Sequence, residues 1–271
     1  MSYDDVEDEA DDLYLTDVGF VNEWLPRVFR ELRSLSISDF WIQSCWRRSD
    51  ILALLSSCCH SLCELEVKNA WLSINGLNPM PMLTSLTLES VRLDDEDLSK
   101  VNHCFPCLQV LNLIGVGGLT EPKIQLFHLR KCQWTVSNAP QSLTIFAPKL
   151  VKLELNCIEP RSLVLETPLL SDFYLSLRKA NKFESHTGMQ GLKEFVAQLV
   201  IRDIDVTLLF IFTILDKCTN LSDVALLIHY EVDPKIASNF ISRCTADRPR
   251  VRWRWGIWNT GAIDTWTSDS I

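Results

Sequence analysis

No stretch of this 271-residue chain approaches the 18 consecutive apolar residues that read as a membrane-spanning helix, although 47% of it is hydrophobic. The run from Val206 to Leu215 is too short for that and reads as a buried helix. Also missing are a Gly-rich phosphate loop, a G-x-S-x-G elbow and an H-E-x-x-H pair, so no enzyme is expected. Gly115, Gly117 and Gly118 come before Pro122 rather than a helix start, which reads as a turn and not a dinucleotide site. Cys104 and Cys107, after His103, have C-x-x-C spacing. Zinc needs four ligands, commonly a second such pair or a paired histidine, and neither lies at a suitable distance, so neither metal nor cofactor is expected. Cys58, Cys59 and Cys63 beside His60 read as small hydrophobes at a helix end. The N-terminus has no basic region and no apolar stretch, so no secretory signal is expected. The ten cysteines then read as free thiols of an intracellular protein, in cytoplasm or nucleus. Asn220-Leu221-Ser222 matches a glycosylation sequon, but Leu221 reads as core.

Positive charge is in short supply, with 26 basic against 35 acidic residues. The net charge of −9 misleads, because Asp4, Asp5, Glu7, Asp8, Glu9, Asp11 and Asp12 supply seven of the negatives and leave −2 for the rest. Residues 1–19 therefore read as an acidic, solvated tail on a nearly neutral body. Such a body does not suit nucleic acid.

What is present is a phrase, P-x-L-x-x-[LF]-x-L, in four copies: Pro81/Leu83/Leu86/Leu88, Pro106/Leu108/Leu111/Leu113, Pro148/Leu150/Leu153/Leu155 and Pro168/Leu170/Phe173/Leu175. Looser copies are Leu32/Leu35/Ile37, Leu62/Leu65/Val67, Leu192/Phe195/Ala197 and Leu221/Val224/Leu226. Between Leu108 and Leu150 the step is twice the usual one, and the segment Ile124, Leu126, Leu129 is the expected degenerate copy. About nine repeats over residues 20–245 spell a leucine-rich-repeat solenoid. The expected class is α/β: an irregular horseshoe with a parallel β-sheet on the concave side and short helices or turns on the convex side. Helices are expected at Ile51, Leu52, Leu54, Leu55 and at Leu208, Leu209, Ile211, Phe212, Leu215, with Asp50 and Asp205 near their starts. The proline-bearing copies are shorter and leave room only for turns or 3₁₀ segments. Where such repeats usually carry Asn or Cys after the strand, this chain has Phe40, Ala70, Val91, Val116 and Ile158, so the turns are expected to close by apolar packing.

Residues alternating with the inward ones face outward. The expected binding face for a target protein comprises Glu64, Glu66, Glu89, Val110, Asn112, Ile114, Glu154, Asp172 and Tyr174, a mixed surface with an apolar patch. Its expected centre is the region of Val110, Ile114 and Tyr174. Near the C-terminus, Arg250, Arg252 and Arg254 alternate with Val251, Trp253 and Trp255, followed by Trp258. Residues 246–271 are therefore expected to form a Trp/Arg-rich strand that caps the last apolar layer, plus a tail.

The segments FPCLQVLNLIGVGGLTEPKIQLFHLRKCQW, APKLVKLELNC and TPLLSDFYLSL resemble the plant F-box/leucine-rich-repeat proteins. The resemblance implies a substrate receptor of a cullin–RING ubiquitin ligase, in which an F-box binds the adaptor and the repeats hold the target. Trp24-Leu25-Pro26-Arg27-Val28 echoes the opening of an F-box, but Leu32 of the first repeat follows at once. The receptor half alone is expected here, and a cullin-ligase adaptor is a partner only if an F-box lies upstream. The alternative is a repeat scaffold or inhibitor unconnected with ubiquitin.

Overall fold

The computed structural model describes residues 15–39, 48–136, 140–158, 161–177, 182–185, 188–259 and 265–267. The acidic segment Asp4–Asp12 and Phe40 lie outside these residues.

The proline of the repeated phrase has a local cause. Leu83 N–H donates to the Met80 carbonyl, Leu108 to Phe105, Leu150 to Ala147 and Leu170 to Thr167. Each phrase is thus a β-turn with proline at its second position, where its fixed φ is pre-set for the turn. Leu62, Leu129 and Leu192 close the same turn onto Cys59, Leu126 and Met189 without proline. After each turn two successive N–H groups share one carbonyl of the previous repeat: Val151 and Lys152 donate to Arg130, and Ser171 and Asp172 to Val151. This ladder sets the register of every strand that follows.

In chain order the elements are α1 (Val18–Val28), β1 (Ser34–Ser38), β2 (Arg48–Ser49), α2 (Ile51–Cys58), β3 (Glu64–Lys68), β4 (Trp71–Leu72), β5 (Ser85–Glu89), α3 (Asp95–Cys104) and β6 (Val110–Val116). Then follow β7 (Lys123–Gln125), β8 (Lys131–Val136), β9 (Ser142–Phe146), β10 (Lys152–Ile158), β11 (Ser162–Glu166), β12 (Asp172–Leu177), β13 (Lys182–Glu184) and β14 (Glu194–Leu199). The last are α4 (Ile204–Asp216), β15 (Asp223–His229), α5 (Pro234–Asp247), β16 (Arg252–Trp258) and β17 (Thr265–Thr267). Among the described residues an 11-stranded sheet runs β1-β3-β5-β6-β8-β10-β12-β14-β15-β16-β17, parallel throughout except for the last pair. The molecule is an α/β leucine-rich-repeat solenoid.

Register stacks the inward side chains into two rows. Leu65, Leu86, Leu111, Cys132, Leu153, Phe173, Phe195, Val224 and Trp253 form one; Val67, Leu88, Leu113, Trp134, Leu155, Leu175, Ala197, Leu226 and Trp255 form the other. From Leu65 to Val224 the first row is at most 2% exposed. At about 1.5–3 kcal/mol per fully buried large apolar side chain, these rows are the main attractive force of the fold.

Two expectations change here. The degenerate copy is Leu129, Cys132, Trp134, whose strand is β8; Ile124 lies in β7 and Leu126 closes the turn. The shift explains the doubled step, because Leu129 stands midway between Leu108 and Leu150. Trp134 and Cys132 in leucine positions, and Phe127 in the proline position, hid the copy. The convex side of the middle repeats is also not made of turns alone. A second parallel sheet, β13-β11-β9-β7, lies behind them, with Leu143, Ile145, Leu163 and Leu165 fully buried. Helices back the flanking repeats, including α3, whose sparse apolar face (Leu98, Val101) gave little periodicity to read.

The strand ends turn through left-handed backbone at Asn69 (φ 55°), Ser90 (φ 52°) and Gly115 (φ 63°). Each is followed by one of the expected apolar turn residues, Ala70, Val91 and Val116, all nearly fully buried. Asn69 N–H and Ser90 N–H donate onward to the carbonyls of Glu89 and Ile114.

Candidate protein-binding face

The inward leucines force the alternate residues of each concave strand outward, and the shared register aligns those residues in three rows across the sheet. The first row reads Ser34, Glu64, Ser85, Val110, Lys131, Lys152, Asp172, Glu194, Asp223, Arg252. The second reads Ser36, Glu66, Thr87, Asn112, Gln133, Glu154, Tyr174, Val196, Ala225, Arg254. The third begins Ser38, Lys68, Glu89, Ile114, Thr135, Asn156. All nine candidate residues lie in these rows.

The acidic N-terminal corner is internally paired. Lys68 Nζ lies 2.8 Å from a Glu89 oxygen and 3.2 Å from one of Glu66, and the two carboxylates raise the lysine pKa. Ser36 Oγ donates to Glu66 at 2.6 Å, and this bond, ahead of Lys68, holds the Glu66 carboxyl below the usual carboxylate range. Ser34 Oγ donates to Glu64 at 3.3 Å. In the centre, Asn112 Nδ2 donates to Thr87 Oγ1 at 3.0 Å, and Asn156 Nδ2 donates to Glu154 at 3.0 Å.

Val110 and Ile114 share β6 and flank Asn112, but Tyr174 stands three strands away on β12. They are separated by Lys131, Gln133 and Thr135 on β8 and by Lys152, Glu154 and Asn156 on β10. The expected apolar patch of Val110 and Ile114 lies together on β6, while Tyr174 of the expected centre stands apart beside its register partner Val196. The β8 residues were missed because the degenerate copy had been placed upstream; Leu129-x-x-Cys132-x-Trp134 is the signal that locates them.

At the C-terminal end the concave surface closes over. Arg254 bridges Glu194 (3.1 Å) and Asp223 (3.3 Å), so this arginine belongs to the sheet's own ion pairs. Trp253 and Trp255 stack at 5.5 Å on the core side, with Phe240 of α5 edge-on to Trp255. Trp258 lies on the opposite face, donates from Nε1 to the Leu199 carbonyl at 3.4 Å and packs edge-on against His229. Ala225, Leu227 and Trp258 are buried there.

Of the cysteine and histidine groupings, Cys58 and Cys59 bring their sulfurs to 3.7 Å of each other. Cys104 Sγ donates to the Leu77 carbonyl at 3.7 Å, while His103 Nδ1 lies 2.9 Å from the Ser99 carbonyl of its own helix. Among the described residues no cluster of three or more His, Cys, Asp or Glu forms a metal-holding group. Burial pushes the Cys59, Cys132, Cys218 and Cys244 thiols up to about 12, which leaves them poor nucleophiles. No described helix is long and apolar enough to cross a membrane.

No family model matches the sequence, and no solved structure matches it. The chain is similar to F-box/LRR-repeat protein At4g29420 of Arabidopsis thaliana, with 44% identity over 355 residues, covering 98% of this chain and 80% of the relative. The aligned length exceeds the 271 residues present, so the relative carries stretches with no counterpart here. A repeat solenoid with this inward-leucine register, and a relative this similar across nearly the whole chain, establish that the chain belongs to the plant F-box/leucine-rich-repeat proteins.

Proposed function

We propose that the chain is an intracellular, non-catalytic target-binding module, the substrate-recognition part of an F-box-type ubiquitin ligase receptor. The observation that carries the reading is the concave sheet from β3 to β12, whose outward residues from Glu64 to Tyr174 stand in register and keep partial or full exposure. Solenoids use such faces for binding, and apolar residues within a polar surround supply interface energy. The fixed strands cost little to order on binding. The link to ubiquitin is what the resemblance to F-box/leucine-rich-repeat proteins implies, the family to which the chain belongs.

A second reading is a repeat scaffold or inhibitor unconnected with ubiquitin, since a concave solenoid face can hold a partner without any ligase attachment.

Affinity capture from plant extract tests both. Tyr174→Ala and Glu154→Ala should weaken target capture while leaving the fold within about 1 kcal/mol. Unchanged capture in both, with loss in Arg252→Ala, would move the site to β16. Co-purification of a cullin-ligase adaptor supports the ligase reading, and target capture without adaptor supports the scaffold.

A further inference from the structure

In places the ionic side chains of the concave face form opposite-sign pairs across strands, as Lys68 does with Glu89 and Arg254 with Asp223. Like charges also fall on register partners: Asp172, Glu194 and Asp223 form an acidic run that Arg254 bridges in part, and a cationic pair stands upstream of it. Lys131 on β8 and Lys152 on β10 are direct register partners, so two cations stand about 4.8 Å apart at the backbone. Like charges directly opposite destabilise a sheet. Arg130 precedes Lys131, and Lys149 sits in the turn before β10. None of the four makes an ion pair among the described residues, although Asp172 is the register partner of Lys152 on β12 and Lys149 Nζ lies 3.4 Å from His128 Nδ1.

The same edge also carries apolar side chains in solvent. Phe127, Val151 and Leu169 are 61%, 40% and 58% exposed, and all belong to the turn segments that bracket the four cations. The edge is rigid, because Val151 and Lys152 N–H both donate to the Arg130 carbonyl at 2.9 and 3.0 Å.

We infer that the strand-start edge of β8 and β10 is a docking strip for a short acidic segment, bearing apolar anchors, of the protein captured by the solenoid. The inference rests on the target-binding reading above and gives the partner a chemistry. Carboxylates relieve the Lys131–Lys152 opposition and pair with Arg130 and Lys149; apolar anchors cover Val151, Leu169 and Phe127. Glu154 and Asp172 lie within one strand of the cluster, which limits the strip to a short acidic run and disfavours a long polyanion. The chain's own Asp4–Asp12 segment is the poorer occupant. Thr16 is tied to Asp39 and Ser49 beyond the far end of β1, four strand spacings (about 19 Å) and a strand length away, with Glu66 and Glu89 between.

The test uses the full chain and a short fluorescent peptide of glutamates interspersed with leucine and phenylalanine, read by anisotropy. Binding should fall about tenfold in Lys131→Ser/Lys152→Ser and in Arg130→Glu/Lys149→Glu, with a shallower salt dependence. Melting of Lys131→Ser/Lys152→Ser should not fall, because the substitution removes a repulsion. A lysine-for-glutamate peptide should not bind, and Lys235→Ser, an exposed cation removed from α5, should bind the acidic peptide normally. Equal binding by all variants, or by the lysine peptide, overturns the inference. So does binding of phosphatidylserine vesicles in place of the peptide, which assigns the strip to a lipid surface. Binding that appears only once the seven tail acids are changed to their amides assigns it to the chain's own tail. A chain that binds the peptide through the strip but captures no protein retains this edge site and loses the target-binding reading; capture that survives loss of the strip does the reverse.

Discussion

The middle and the flanks of this solenoid solve one packing problem in different ways. From Leu129 to Leu192 successive repeats are 20–22 residues apart, and their convex side is the extended chain of β9, β11 and β13. Where the step lengthens to 25–30 residues, helices appear: α2 before Leu62, α3 before Leu108 and α4 before Leu221. An extended residue advances about 3.3 Å and a helical one 1.5 Å. A short repeat can therefore cross the back of the core only as a strand, and a long one has residues to coil. Step length, more than composition, chooses the convex element.

Cavity substitutions test the buried layers most strongly. Leu165→Ala in β11 and Leu111→Ala in β6 should each cost about 2–5 kcal/mol by urea denaturation, as both side chains are closed off from solvent. A much smaller loss for Leu165→Ala would show that the second sheet is peripheral to the middle repeats.

Gly118 tests the junction between the two regimes, just after β6. Its φ is +94°, and an added Cβ would sit 2.7 Å from the Leu93 carbonyl oxygen. Gly118→Ala should destabilise by about 1–3 kcal/mol, whereas an alanine at exposed Glu121 nearby, which bonds Asp95 only through its backbone N–H, should not, in the same thermal melts.

Caps separate helix-backed from strand-backed repeats. Asp203 accepts from Val206 N–H at 3.0 Å and Asp94 from Asp97 N–H at 2.7 Å, so Asp203→Ala and Asp94→Ala should each cost about 1 kcal/mol. Asp50 precedes α2 without a side-chain capping bond, and Asp50→Ala should cost less than either. Equal costs for all three would remove the distinction.

The smallest effect is electrostatic. The Glu66 carboxyl titrates below its ordinary 4.5, so its stabilisation is present above that pH and lost as pH falls through the lower, folded value. Glu66→Gln should remove this part of the acid dependence and leave stability at neutral pH little changed, because the side chain is over one-third exposed. An unaltered acid limb in the variant would mean that the Ser36 bond contributes nothing.

The repeated phrase already contained the turn, the strand and the two inward rows, because proline geometry and period-two alternation are local. It therefore determined the solenoid and the outward position of all nine candidate residues from Glu64 to Tyr174. Three things were decided only in three dimensions. Trp134 and Cys132 serve as core residues because their neighbours Leu113, Leu155, Leu111 and Leu153 leave inward positions to fill, which no local pattern reveals. The second sheet forms because short segments such as Ser162–Glu166 find partners in adjacent repeats, and its pairing joins residues about twenty apart. Which outward residues become neighbours depends on register across strands, so Tyr174 stands apart from Val110, and Lys131 faces Lys152. A single strand reports which way its side chains point; only the stack of strands decides what stands beside them.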